Sequence, residues 1–284
     1  MKNKIAILIP CLNEELTISN VISDFKKKLP GCKIFVYDNN SDDNTLNTAK
    51  KSGANVITVK ERGKGNVVKK MFSDSHEADF YVMIDGDNTY DISNINKIID
   101  IMSKENLDMM VGCRNHKDSS AYRAGHVLGN LFFSKLVAFI FGNKVKDVFS
   151  GFRIFSKRFI KTFPLHSRGF EIEAELTIHA LEQRLSIKEF DCLYIPRHEK
   201  SNSKLNTFKD GVKILKLILV LIKDERPLIF FLILALLFVV LSLIIGIPII
   251  FEFYETKLVE RLPSAVLSGF LMVIWKFIHS SFRD

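Results

Sequence analysis

Phe80-Tyr81-Val82-Met83-Ile84-Asp85-Gly86-Asp87-Asn88-Thr89-Tyr90-Asp91 is the stretch on which the reading of the fold turns. Five apolar residues in a row are too few for a helix and fit one pass of a buried strand. The polarity then changes abruptly at Asp85. Two carboxylates one residue apart at a strand end can both approach a hard cation such as Mg2+ or Mn2+, which takes oxygen ligands and commonly bridges substrate phosphates. The competing reading is a turn whose aspartates cap a following helix.

Working outward, the same grammar recurs. Apolar runs at residues 5–9, 33–37, 56–59 and 109–112 are each followed by a polar cluster: residues 10–15, 38–44, 62–65 and Arg114. Residues 14–28 and 45–52 read as intervening helices. This alternation predicts an α/β fold of βαβ units around a mostly parallel sheet, and such sheets bind ligands at the carboxyl ends of their strands. Asp38-Asn39-Asn40-Ser41-Asp42-Asp43 offers a carboxylate to a ribose or base edge, or an Asx-rich cap for the next helix. Arg62-Gly63-Lys64-Gly65-Asn66 places two cations and two glycines before a helix. Glycines admit a phosphate close to the backbone, and a helix N-terminus favours negative charge, although the spacing is not that of a Walker loop. Further on, residues 127–141 read as a helix packed on the sheet and residues 170–183 as a Glu-rich helix. Residues 187–195 read as a strand pair.

The 284 residues leave room for one sizeable α/β domain and an appendage. Hydrophobic residues make up 47% of the chain, and the surplus is concentrated near one end. Residues 228–251 carry no charge and are interrupted only by Ser242, Gly246 and Pro248, long enough for the roughly 20-residue span of a bilayer. The apolar run at 5–9 is too short for a signal-peptide core. Cys11, Cys32, Cys113 and Cys192 show no zinc or disulfide spacing, which fits a reducing cytosol. Of the net charge of +8, residues 200–226 supply +4, from seven basic and three acidic side chains. Residues 252–261 hold three acidic and two basic. Basic residues flanking a span favour the cytoplasmic side, so the main domain is expected at the cytoplasmic face of the inner membrane. Residues 205–223 read as an amphipathic helix with Lys209, Lys213, Lys216 and Lys223 on one stripe and Phe208, Val212, Leu215, Leu219 and Ile222 elsewhere, suited to a membrane surface. The division expected is 1–200 for the catalytic domain, 201–226 for the juxtamembrane helix and 227–251 for the span. Residues 262–279 form a second, short transmembrane or re-entrant segment. No nucleic-acid partner is expected, since neither zinc spacing nor an aromatic platform accompanies the basic stretch.

Pro10-Cys11-Leu12-Asn13-Glu14-Glu15, the clusters at Asp38, Lys64 and Asp85, and several later strings follow one another in a recognisable order. The later strings are Gly112-Cys113-Arg114, Ala121-Tyr122-Arg123, Ser150-Gly151-Phe152-Arg153, Gly169-Phe170-Glu171-Ile172-Glu173 and Ser203-Lys204-Leu205. The set resembles the inverting family-2 glycosyltransferases of the GT-A fold, and within them the subgroup of dolichyl-phosphate mannose synthases and bacterial polyprenyl-phosphate glycosyltransferases. The resemblance implies that Pro10, Asn13, Glu14, Asp38, Lys64 and Asp85 bind a nucleotide-diphosphate sugar. It further implies that Asp85 and Asp87 hold Mg2+ or Mn2+, and that Arg114, Arg123 and Lys204 meet the phosphate of a polyprenyl phosphate lipid. Asp87, Asp147, Arg114 and Arg123 become the candidate catalytic residues. With a lipid phosphate as acceptor no strong base is required; with a sugar hydroxyl, as in capsule or O-antigen assembly, Asp147 is the candidate base. A non-catalytic nucleotide-binding membrane protein is the more distant alternative. A homo-oligomer formed through the membrane helices is left open.

Overall fold

The computed structural model describes residues 3–74, 77–115, 124–141, 145–164, 167–197 and 207–280. They fall into two compact units, Met1–Leu217 and Ile218–Asp284.

The first unit is a seven-stranded sheet in the order β3-β2-β1-β4-β6-β5-β7. Its strands are β1 (Ile5–Cys11), β2 (Lys33–Asp38), β3 (Asn55–Thr58), β4 (Phe80–Met83), β5 (Met109–Asn115), β6 (Arg153–Ser156) and β7 (Ile187–Leu193). β1 to β4 pair parallel, as do β5 and β7. β6 runs antiparallel between β4 and β5, with Arg153 opposite both Met83 and Val111. Period-2 alternation along β1 sends Ile7, Ile9 and Cys11 into one core layer and Ala6 and Leu8 into the other. Helices α1 (Ile18–Lys28), α2 (Thr45–Lys51) and α4 (Ile95–Lys104) contribute to the first layer. Helices α3 (Lys64–Ser73), α6 (Lys157–Thr162) and α7 (Ile172–Glu182) contribute to the second. Each fully buried Ile or Phe in these layers, such as Ile22, Phe25 and Phe155, contributes about 1.5–3 kcal/mol of transfer free energy.

Three local expectations change. The first helix begins at Ile18, not at residue 14, because Asn13 adopts a left-handed φ of 53° and the next two backbone N–H groups are taken by the neighbouring loop. The strand pair expected at 187–195 is a single strand, β7, followed by an isolated bridge between Tyr90 and Tyr194. β6 is an addition: Arg153-Ile154-Phe155-Ser156 buries Ile154 and Phe155 on opposite faces of the sheet.

Because β6 is reversed, the loop that precedes it, residues 147–152, emerges at the same edge as the loops that follow β1, β2, β3, β4, β5 and β7. One antiparallel strand thereby delivers a seventh loop to the ligand edge. Helix α5 (Ala124–Phe141) buries Ser134, Val137, Ile140 and Phe141 but exposes Leu131, Phe132 and Phe139.

Helix α8 (Thr207–Glu225) crosses the boundary between the two units. It buries Ile214, Ile218 and Ile222 at i, i+4 spacing, while Val212, Leu215, Leu219 and Val220 are exposed alongside Lys213, Lys216 and Lys223. The apolar face expected at Val212, Leu215 and Leu219 is therefore the outward one. In the second unit α9 (Pro227–Thr256) packs on α10 (Leu262–Ser280). α9 is long and apolar enough to cross a membrane, with a mean hydropathy of 3.5 over its best 18-residue window. Ser242 Oγ donates to the Ser268 carbonyl at 2.8 Å, and Ser268 Oγ returns a bond to the Ser242 carbonyl at 2.9 Å. The hydroxyls thus satisfy each other's helix inside an apolar hairpin.

Candidate functional site

The first two edge loops are laced together. Asn13 N donates to Ser41 Oγ at 2.9 Å, Asp42 N donates to Asn13 Oδ1 at 2.8 Å, and Glu14 N donates to Thr45 Oγ1 at 2.8 Å. Asn39 staples the second loop to the third, accepting from Gly63 N at 2.7 Å and donating to the Val59 and Glu61 carbonyls. Pro10, a buried strand residue opposite Tyr37, and Glu14, 7% exposed, form the floor beneath them. Asp38 ends β2 at this floor. Its Oδ2 accepts from Ser41 N at 3.2 Å, while its Oδ1 is buried with no hydrogen-bond partner. A buried carboxylate oxygen left unpaired is costly, so this atom marks a seat for a donor from outside the chain.

The turn after β4 is held from two sides. Thr17 Oγ1 donates to the Gly86 carbonyl at 2.7 Å, and a Cβ at Gly86 would lie 2.6 Å from Cys11 Sγ. Glycine is thus required between the two aspartates. Asp85 Oδ1 accepts from Lys64 Nζ at 2.6 Å, and Lys64 Nζ also meets Glu173 Oε1 at 2.6 Å. Glu173 lies on α7, 4% exposed, and its Oε2 has no partner. Asp87, 3% exposed, accepts from Thr89 N and Thr89 Oγ1 on Oδ1, and its Oδ2 lies 2.6 Å from Arg197 Nη2. On Lys64 burial opposes the charge, but Asp85 and Glu173 outweigh it and raise the ammonium pKa. Burial also opposes ionisation of Asp85, yet Lys64, Arg197 and Arg114 together hold its pKa below the usual carboxylate value. Burial and the Asp85 charge push Asp87 up, against the pull of Arg197. Burial likewise raises Glu173, against Lys64.

Gly151 closes this cluster. A Cβ there would lie 2.7 Å from Asp85 Cγ. Gly151 N donates to the Tyr90 hydroxyl at 2.9 Å, and the surrounding loop is pinned by the fully buried Arg153. Arg153 donates to the Ser150, Val148 and Glu173 carbonyls and to Thr177 Oγ1. One side chain therefore fixes the 147–152 loop to α7.

Asp147 and Arg114 form a bidentate pair, Nε to Oδ2 and Nη2 to Oδ1, both at 2.7 Å. Arg114 N and Asn130 Nδ2 add further bonds to the same carboxylate. Arg114 also lies over the Tyr194 ring, 5.8 Å from its centroid. Burial raises Asp147, but Arg114 more than reverses it and the carboxyl sits below its usual range. With a depressed folded-state pKa, the stability from this pair is complete above the unfolded value of about 3.9 and drains away as pH falls through the folded value. Asp147→Asn is expected to cost about 3 kcal/mol at neutral pH by leaving Arg114 without its carboxylate. Its thermal melts below about pH 4 should flatten relative to those of the native protein. Parallel acid limbs in the two proteins would show that the pair carries none of the acid sensitivity.

The sequence-derived sites sort unevenly. Lys64, Asp85, Asp87 and Arg114 lie within one electrostatic cluster, with Asp147 attached through Arg114. Asn13 acts through its backbone and Oδ1 as a latch between loops. Arg123 and Lys204 lie outside the described residues. The glycines of residues 62–66 do not cradle an anion. A Cβ at Gly65 would lie 2.6 Å from the Ser167 carbonyl carbon, Gly65 N donates to the Gly169 carbonyl, and Asn66 N donates to that of Arg168. The start of α3 is used by backbone from residues 167–169. Glu173, Gly151, Tyr90 and Arg197 join the site without having been singled out for it. Glu173 and Gly151 lie within the family-like strings of the sequence, whereas no motif surrounds Arg197.

Among the described residues no cluster of three or more His, Cys, Asp or Glu has the geometry of a metal centre. Two carboxylates suffice for a cation that takes its remaining ligands from phosphate and water. Asp85 Oδ1 and Asp87 Oδ2 each accept a cationic nitrogen at 2.6 Å, so both carboxylates already face positive charge. The donor set fits Mg2+ or Mn2+.

Comparison with known proteins supplies the remaining information. The sequence profile described as "Glycosyl transferase family 2" matches residues 6–163. Glycosyltransferase AglJ of Haloferax volcanii is 31% identical over 229 residues, covering 80% of this chain and 75% of that protein. A dolichyl-phosphate hexose transferase of the same organism is 27% identical over 222 residues, 78% of this chain and 95% of that protein. Among solved structures, glucosyl-3-phosphoglycerate synthase from Mycobacterium tuberculosis, crystallised with Mn2+, UDP-glucose and glycerol 3-phosphate, aligns with a TM-score of 0.60. Its sequence identity is 21%, over 79% of this chain and 80% of that one. The fold is GT-A.

Proposed function

Since the chain belongs to glycosyl transferase family 2, we propose that it transfers a sugar, with inversion, from a nucleoside-diphosphate sugar to a polyprenyl phosphate at a membrane surface. The observation that carries the choice of acceptor is the state of Asp147, the carboxylate that would serve as base toward a hydroxyl. Asp85 and Glu173 share Lys64, Asp87 holds Arg197, and Asp147 is clamped by Arg114. A hydroxyl acceptor calls for a carboxylate with appreciable proton affinity. Asp147, the candidate for that task, is instead held ionised by its guanidinium. A phosphate monoester has a second pKa of about 6 and arrives as an anion at neutral pH, so it needs cations and no base. The relative named as a dolichyl-phosphate hexose transferase points the same way.

On the donor side, the unpartnered Asp38 Oδ1 accepts a hydrogen bond from the nucleoside, and the lacing of the two loops by Asn13, Ser41 and Thr45 keeps that seat open. Lys64 faces the diphosphate from the Asp85 side. Asp85 and Asp87 would hold a divalent cation, which would supply positive charge to the departing diphosphate. Arg114 receives the acceptor phosphate and aligns it for in-line attack, while the Asp147 clamp fixes its plane. Arg123 and Lys204 are further cations for the acceptor phosphate by the family resemblance. α9 anchors the protein in the bilayer, the exposed apolar residues and lysines of α8 rest on its surface, and the basic stretch at 200–226 keeps the catalytic unit cytoplasmic.

Full-length protein in detergent, supplied with Mn2+ and radiolabelled UDP- or GDP-sugars, is expected to label polyprenyl phosphate. It is expected to leave the phosphate-free polyprenol and added saccharides unlabelled. Label found only in polyprenol or saccharide would overturn the acceptor assignment. Failure to consume any nucleotide sugar would overturn the enzymatic reading itself.

A further inference from the structure

The two aspartates of the candidate metal pair are already engaged by cations of the chain, and one of those cations, Lys64, has a second anchor. Lys64 Nζ sits 2.6 Å from Asp85 Oδ1 and 2.6 Å from Glu173 Oε1. Arg197 Nη2 sits 2.6 Å from Asp87 Oδ2, with Tyr194 and Asp85 also in its electrostatic surroundings. Glu173 does not belong to the metal pair. Lys64 can therefore let go of Asp85 and stay tethered to Glu173, while Arg197, partly exposed, can leave Asp87 for the rim of the site.

Asp87 is the tighter of the two positions. Thr89 N and Oγ1 occupy its Oδ1 and fix the carboxylate plane, which leaves Oδ2 as the oxygen presented to a positive charge. Arg197 holds that oxygen. A divalent ion and the guanidinium cannot share it at 2.6 Å without severe like-charge repulsion in a buried setting. Arg197 is partly accessible, with 31% of its side chain exposed, so it has somewhere to go.

Resting on the reading of the site given above, we propose that Arg197 is an internal competitor for the metal position. It occupies Asp87 in the empty enzyme, yields it only when a divalent cation arrives, and is then taken up by the anionic diphosphate that arrives with the cation. Glu173 does the equivalent service for Lys64, whose ammonium falls back on the unpartnered Oε2 when Asp85 is claimed. The consequence is obligatory coupling. A metal entering alone must displace a guanidinium that gains no new anion, whereas metal and diphosphate together replace one ion pair with another. By linkage, whatever factor the diphosphate contributes to metal affinity, the metal contributes to diphosphate affinity.

Calorimetric titration of Mn2+ into the full-length protein, alone and with saturating UDP or GDP, tests this. The native protein is expected to bind Mn2+ on the order of tenfold more tightly with nucleoside diphosphate than without. Arg197→Gln is expected to bind Mn2+ alone on the order of tenfold more tightly than the native protein, with a correspondingly smaller gain from nucleotide. Unchanged or weaker Mn2+ binding by Arg197→Gln overturns the proposal while leaving the metal site intact. No Mn2+ binding by either protein, with either nucleotide, removes the metal site and this proposal with it. Arg197→Lys keeps the charge without the planar fork and should fall between the two. Should melting curves show the glutamine variant unfolded, the lysine variant decides the matter, and Mn2+ affinity no higher than native refutes the competition.

Discussion

Asp87→Asn is expected to lower kcat/KM for sugar transfer by about a thousandfold, the scale on which loss of one preorganised electrostatic contact at a reacting centre is felt. The amide is isosteric, and its oxygen can keep the bonds from Thr89 N and Oγ1, so the turn after β4 survives. What disappears is the negative charge on the oxygen facing Arg197. With it go half of the charge presented to a divalent cation and the reason for the guanidinium to remain nearby. The partly exposed Arg197 can turn toward solvent, so stability should fall by only about 1 kcal/mol, or 2–4 °C of melting temperature. Steady-state kinetics and a melt on the same preparation check both halves. Activity within a few-fold of native, with the fold preserved, would remove Asp87 from the chemistry.

Gly151→Ala should be nearly as damaging, for a steric reason. The added methyl would press on the Asp85 carboxylate, 2.7 Å from its Cγ. The backbone cannot retreat, because Gly151 N is bonded to the Tyr90 hydroxyl and Arg153 grips the carbonyls of Val148 and Ser150. The carboxylate must move instead, and it drags Lys64 and Glu173 out of register. We expect a stability loss of roughly 1–3 kcal/mol, as for other overpacked interiors, with at least about a hundredfold loss of kcat/KM. Gly129→Ala, in α5 with nothing within 4 Å of the added Cβ, is the matched control and should match the native protein in both measurements. Wild-type activity in Gly151→Ala would mean that the position of Asp85 does not matter.

The layout of the edge loops was legible from the sequence because strand and loop differ in a way that composition records. Apolar runs stop at Ile9, Tyr37 and Ile84, and chemistry begins where they stop. What escaped depends on partners distant in the chain. Residues 62–66 show that small side chains are needed before α3, but not whether a phosphate or the 167–169 backbone makes the close approach. Helix α7 is rich in glutamate, yet residues 172–181 are all buried. Glu173 is tolerable there only because Lys64 comes to meet it. β6 was hidden because four residues carry too little periodicity to stand out from the loop they extend. Arg197 sits beyond β7 with no motif around it, and only the approach of Asp87 assigns it a role.

The position of β6 has a consequence for how the chain is made. On a ribosome, β1 to β5 emerge before the strand that belongs between β4 and β5 has been synthesised, so both flanking strands wait with an open hydrogen-bonding edge. Unpaired edges are templates for pairing with other nascent chains. The interval between release of residue 115 and arrival of residues 187–193, which complete both sides of β5, is therefore a window in which strand edges of this protein stand open to aggregation.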